Sequence, residues 1–103
     1  MSQIAPSTVT KIQINQELKE PPLFKVIYIN DDKTTMEFVI ESLVEFFDYS
    51  PDTAEQVTVD IHQAGSAVVA ILPYEIAEQK GVEVTISARQ KSFPLQVKLE
   101  PNG

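Results

Sequence analysis

Cysteine and tryptophan are absent from this 103-residue chain, glycine occurs three times and histidine once. Without cysteine there is no disulfide, no thiolate metal site and no cysteine nucleophile, a composition compatible with a reducing compartment. The chain has no glycine-rich phosphate loop and no paired-histidine or cysteine metal signature. No Gly-x-Ser-x-Gly elbow occurs either, and nothing in the spacing around the single histidine supports a catalytic triad. Basic residues are scarce, 8 against 15 acidic, for a net charge of -7. Such a surface repels phosphate backbones and anionic lipid heads, so neither a nucleic acid nor a membrane is an expected partner. A cationic group on a partner is favoured. No apolar run approaches the ~20 residues that span a bilayer, and Met1 to Lys11 lacks the basic start and apolar stretch of a secretory signal. The expectation is a non-enzymatic protein of the cytoplasm, or of its plastid-stroma equivalent, with no cofactor, no metal and no catalytic residue.

What remains is one domain's worth of sequence. Residues 1–20 are polar without a sustained period and are closed by Pro21-Pro22; they read as a flexible N-terminal extension, ahead of a folded domain over 21–103. Phe24 to Ile29 is rich in β-branched and aromatic residues and predicts a buried strand. Asn30-Asp31-Asp32-Lys33 breaks it. Thr34 and Glu37 fit a capping box, after which Met36, Val39, Ile40, Leu43, Val44 and Phe47 recur at helical spacing. Glu37, Glu41 and Glu45 then mark a solvated face. Ser50 and Pro51 start a second helix, striped by Ala54, Val57, Ile61 and Ala64, and Gly65 is placed to end it. Ser66 to Leu72 predicts a strand stopped by Pro73. Tyr74 to Lys91 is ambiguous. Its first part is helical in character, but Val82, Val84, Ile86 and Ala88 alternate with polar residues, which favours a strand. Phe93 to Glu100 predicts a last strand. The whole reads as an α+β domain with a three-stranded sheet and helices on one face.

Two features could carry chemistry. Asn30-Asp31-Asp32, between a strand and a helix start, can be turn residues only, or a cluster of oxygen acceptors suited to a metal ion or an ammonium group. His62 follows Thr58 by one helical turn; a lone histidine on a helix is commonly an ordinary surface or core residue. The residues alone do not join the two features.

From Pro21 to Glu100 the chain resembles the ClpS family of adaptors that recognise N-terminal degradation signals. The resemblance rests on Pro-Pro-Leu-Phe-Lys-Val-Ile-Tyr-Ile-Asn-Asp-Asp at 21–32 and on Thr34, Met36 to Ile40 and Phe46-Phe47. It continues in His62-Gln63-Ala64-Gly65, Glu75 to Lys80 and Pro94-Leu95. It implies an antiparallel three-stranded sheet packed against three helices (β-α-α-β-α-β), as in the C-terminal domain of the ribosomal stalk protein, and so a helix rather than a strand from Tyr74 to about Gln90. It implies a monomeric adaptor that binds bulky N-terminal residues (Leu, Phe, Tyr, Trp) and passes their bearers to the N-terminal domain of a ClpA- or ClpC-type AAA+ unfoldase. By position, Asn30, Asp31 and His62 would contact the α-amino group and first peptide bond, and Asp32 and Thr34 would shape the rim. Met36, Val39, Thr58, Ile61 and Leu95 would form the side-chain pocket, with Met36 crowding β-branched first residues. Glu75 and Lys80 would face the unfoldase. Residues 1–20 would serve delivery rather than binding. Two departures stand out: Thr58 replaces a larger apolar residue, often Met, and is expected to change the pocket's shape. Thr35 replaces a common Pro and is expected to loosen the helix start.

Two other readings stay open at this level. One is an unfoldase modulator or inhibitor that keeps the Glu75 to Lys80 surface and leaves the pocket unused. The other is a metal-dependent hydrolase built on Asp31, Asp32 and His62.

Overall fold

The computed structural model describes residues 20–103; the extension expected over 1–20 lies, apart from Glu20, outside them. Six elements follow one another: β1 (Leu23–Ile29), α1 (Met36–Phe47), α2 (Pro51–Ala64), β2 (Ser66–Pro73), α3 (Tyr74–Gln90) and β3 (Gln96–Pro101). The strands form one antiparallel sheet in the order β2-β1-β3. This is the α+β architecture expected.

Alternation along β1 sends Val26 and Tyr28 into the core, where both are fully buried. Tyr28 meets α1 twice: its ring packs edge-on against Phe47 with centroids 6.2 Å apart, and its hydroxyl shares a 2.8 Å hydrogen bond with Ser42. Ser42 Oγ also donates to the carbonyl of Val39 at 2.8 Å. The pair is buried but satisfied, which removes the cost that a lone buried hydroxyl would carry. Burial pushes the Tyr28 phenol above its ordinary range, and the Ser42 hydrogen bond only partly offsets this.

The β1–β2 register slips between Val26 and Ile27, which face Ala70 and Val68 and leave Val69 as the extra residue of a bulge. Its carbonyl is taken by the Tyr49 hydroxyl at 2.6 Å.

The helix starts combine success and correction. Ser50 caps α2 by accepting from Thr53 N, with Pro51 in the first turn, and Gly65 closes it at φ 92°, a left-handed conformation that glycine adopts without a Cβ clash. At α1 the cap is Thr35, whose Oγ1 accepts from the backbone N–H of Phe38 at 3.1 Å. The expected Thr34–Glu37 capping box does not form: the helix starts one residue later than that box requires, with Thr35 as the cap, and the Thr34 backbone N–H that the Glu37 carboxylate would reach is already held by Asp31. Thr35, expected to loosen the helix start, closes it instead. Glu37, Glu41 and Glu45 are exposed, as a solvated face requires.

Val82 to Ala88 is helical, against its alternating pattern and in accord with the resemblance. The buried residues of α3 are Ala77, Val84 and Ala88, spaced for one helical face. The last strand begins at Gln96, three residues later than Phe93. Phe93 instead packs edge-on against Phe38, centroids 5.3 Å apart, after a turn in which Ser92 adopts φ 64°.

Candidate functional site

The loop from Asn30 to Thr35 connects the end of β1 to the start of α1, and the last turn of α2 lies beside it. The two are tied through the backbone: Asn30 N donates to the carbonyl of Gly65 at 2.9 Å. Gly65, the single residue between α2 and β2, therefore also brings the Asn-Asp-Asp loop next to His62.

Asp31 organises this loop. Its Oδ1 accepts from the backbone N–H of Lys33 at 2.8 Å and of Thr34 at 2.7 Å, and its Oδ2 accepts from the Thr34 hydroxyl at 2.7 Å. Desolvation raises its pKa; the Thr34 hydroxyl, the two backbone N–H groups and the charge of Arg89 more than reverse this, and the carboxyl sits below its ordinary value. Asp31 is thus held ionised. A carboxylate offers about four lone-pair sites, so roughly one acceptor position on Oδ2 is left.

Nine residues line one recess of about 230 Å³: Asn30, Asp31, Asp32, Thr34, Met36, Val39, Thr58, Ile61 and His62. They come from the loop, the first turn of α1 and the second half of α2. The polar members lie at the mouth, where Asn30, Asp32 and His62 are exposed. Val39, Thr58 and Ile61 lie deep, at 7%, 2% and 2% exposure. Met36, at 43% exposure, stands at the edge as the first residue of α1. Chemically this is a pre-formed pocket with a negative, acceptor-rich entrance and an interior that is apolar apart from the Thr58 hydroxyl group. Among the described residues no group of three or more His, Asp or Glu is arranged to hold a metal ion.

Leu95, expected in the pocket wall, is not among the lining residues. It sits just before β3 with its side chain buried in the core at 1% exposure. Glu75 and Lys80 lie on the first half of α3, Glu75 exposed and Lys80 half-buried, and neither lines the recess.

One residue escaped sequence reasoning. Arg89, at the end of α3, donates through Nη1 to the carbonyls of Phe93 at 2.8 Å and Leu95 at 2.9 Å. It pins the α3–β3 connection and contributes positive charge near Asp31. No local signal announces it, since both roles span separate segments.

Fold and recess together define a small adaptor-like binding domain, and comparison with known proteins makes the class definite. The sequence model of the family described as "ATP-dependent Clp protease adaptor protein ClpS" matches residues 19–98. An adapter protein ClpS of Acetivibrio thermocellus is 38% identical over 94 residues, covering 91% of this chain and 95% of its own. One from Campylobacter jejuni is 44% identical over 84 residues, covering 82% and 88%. Among solved structures, that of Agrobacterium tumefaciens ClpS2 bound to L-phenylalaninamide is similar with a TM-score of 0.78 and 41% identity, covering 81% of this chain and all of that one. The chain belongs to the ClpS family, adaptors of the ATP-dependent Clp protease, and its partner is a component of that protease.

Proposed function

We propose that this chain binds the first residue of other polypeptides and delivers them to a ClpA- or ClpC-type AAA+ unfoldase. Bulky hydrophobic first residues (Leu, Phe, Tyr, Trp) enter the recess. The observation that carries this reading is the recess itself, with acceptors at its mouth and a mostly apolar interior.

An α-amino group has a pKa of about 7.7–8.0 and is mostly protonated at neutral pH. Buried without acceptors it would be costly. The free acceptor of Asp31, the Asn30 amide oxygen and a His62 ring nitrogen are the groups that would receive its three N–H donors, the carboxylate through a charge-assisted bond. Internal residues carry no such ammonium group, so the mouth restricts entry to chain ends. Val39, Thr58 and Ile61 would take the side chain, and Met36 at the edge would crowd first residues branched at Cβ. The compound held by the Agrobacterium tumefaciens relative, L-phenylalaninamide, has the free amine and apolar side chain that this reading requires. Glu75 and Lys80 supply charges on α3 for the unfoldase's N-terminal domain, away from the recess.

Degradation of a model substrate by a ClpA- or ClpC-type protease tests the proposal. The chain should accelerate loss of a Phe-first or Leu-first substrate and leave its N-acetylated form unaffected. Equal effects on both forms would contradict recognition of the chain end.

A further inference from the structure

The deep end of the recess is not uniformly apolar. Val39 and Ile61 are hydrocarbon side chains, but Thr58, at 2% exposure, lines the recess with them and carries a hydroxyl. The hydroxyl hydrogen of Thr58 is committed: Oγ1 donates to the carbonyl of Ala54 one turn earlier, at 2.7 Å. A hydroxyl that has spent its proton keeps acceptor capacity. Thr58 can therefore receive a hydrogen bond without giving up the one it makes, and it cannot serve as a donor without breaking it. Among the described residues no buried side-chain nitrogen or oxygen lacks a partner. An apolar ligand tip thus meets no unsatisfied group, while a ligand tip carrying a donor would gain a bond.

We propose that Thr58 tunes the recess toward first residues whose side chain ends in a hydrogen-bond donor, tyrosine above all, over the nearly isosteric phenylalanine. The inference rests on the reading of the recess as a site for N-terminal residues. An amino group held among Asn30, Asp31 and His62 at the mouth directs the side chain inward, toward Val39, Ile61 and Thr58. The tyrosine hydroxyl is the part of that side chain farthest from the backbone. Buried beside hydrocarbon alone it would lose its hydrogen bonds to water; beside an acceptor it does not.

Isothermal titration calorimetry with peptides differing only in residue one (Tyr, Phe, Leu) tests this on the full chain and two variants. Thr58→Val keeps the shape and removes the oxygen. Thr58→Ser keeps the oxygen and guards against a folding defect, which circular dichroism monitors in both. A neutral hydrogen bond corresponds to a preference of about 2- to 10-fold. The native chain and Thr58→Ser should bind Tyr that much more tightly than Phe, and in Thr58→Val the Tyr-to-Phe ratio should fall to one or below. A Tyr-to-Phe ratio unchanged in Thr58→Val, with Phe and Leu still bound, overturns the role of Thr58 and leaves the N-terminal reading intact. Failure of the native chain to bind any of the three overturns both.

Discussion

Replacing Asp31 by Asn separates two jobs that the side chain does at once. Three of its acceptor positions hold the loop, through Lys33 N, Thr34 N and the Thr34 hydroxyl, all within 2.8 Å. The charge and the remaining lone pair are what a ligand ammonium would use. Asn keeps one oxygen for the two backbone N–H groups, and its amide can donate to Thr34 once that hydroxyl rotates. Asp31→Asn should therefore lower the thermal midpoint less than Asp31→Ala does, and remove one charge-assisted hydrogen bond to the ligand. Such bonds contribute about 1.5–3 kcal/mol, a loss of roughly 10- to 150-fold in affinity. Asp31→Ala should lose that affinity and also free the loop, at about 0.5–2 kcal/mol by analogy with the loss of a helix cap, or some 4–8 °C of midpoint per kcal/mol in a domain of this size. Peptide binding by fluorescence anisotropy and melting by circular dichroism read the two effects separately. Asp31→Asn binding as tightly as the native chain would refute the assignment of its charge to the ligand. A drop in its melting point as large as that of Asp31→Ala would refute the division of labour.

Binding should weaken as pH rises through about 8, because the ligand's α-amino group deprotonates there; a titration showing constant affinity from neutral to strongly alkaline pH would count against ammonium recognition. The folded-state pKa of Asp31 is depressed, so its contribution to stability is present above the ordinary carboxylate pKa and fades as pH falls through the folded value. In acid melts Asp31→Asn should lose less stability than the native chain. Ser42→Ala strips the fully buried Tyr28 hydroxyl of its partner and should cost about 1–3 kcal/mol, whereas the double change Ser42→Ala with Tyr28→Phe should cost less than the two singles summed. Gly81→Ala places a Cβ 3.6 Å from Val97 Cγ1, ordinary contact distance, inside α3; relief of the glycine penalty should stabilise the chain by about 0.5–1 kcal/mol, and a lowered midpoint would show that the helix–sheet gap cannot take the methyl.

Local chemistry was legible in the sequence, and long-range chemistry was not. Ser50-Pro51 and Gly65 announced the ends of α2 because caps depend on side chains within a few residues. The same rule misplaced the start of α1. Thr34 looks like a cap, but Asp31, three residues back, holds its N–H and turns the loop so that Thr35 takes the cap position. In α3 the misleading alternation comes largely from Val82 and Ile86, which are 51% and 54% exposed. The burial pattern is set by the small Ala77 and Ala88 with Val84, which let the helix lie close to the sheet. The resemblance supplied the helix that periodicity withheld. It also named nine of the ten residues it placed at the recess, since that motif is carried by contiguous segments. It placed Leu95 there too, where the structure buries the side chain in the core. Arg89 and the Tyr28–Ser42 pair went unremarked because each depends on partners from elements that only the tertiary fold brings together.

N-terminal recognition is tested most directly by comparing one labelled peptide with a leucine at residue one in two forms, free and N-acetylated, by fluorescence anisotropy. Recognition of the chain end requires saturable binding of the free form and none of the acetylated form at the same concentrations. Equal binding of both would mean that the recess reads a hydrophobic side chain without its chain end, and failure of both would mean that the recess is not used for this recognition.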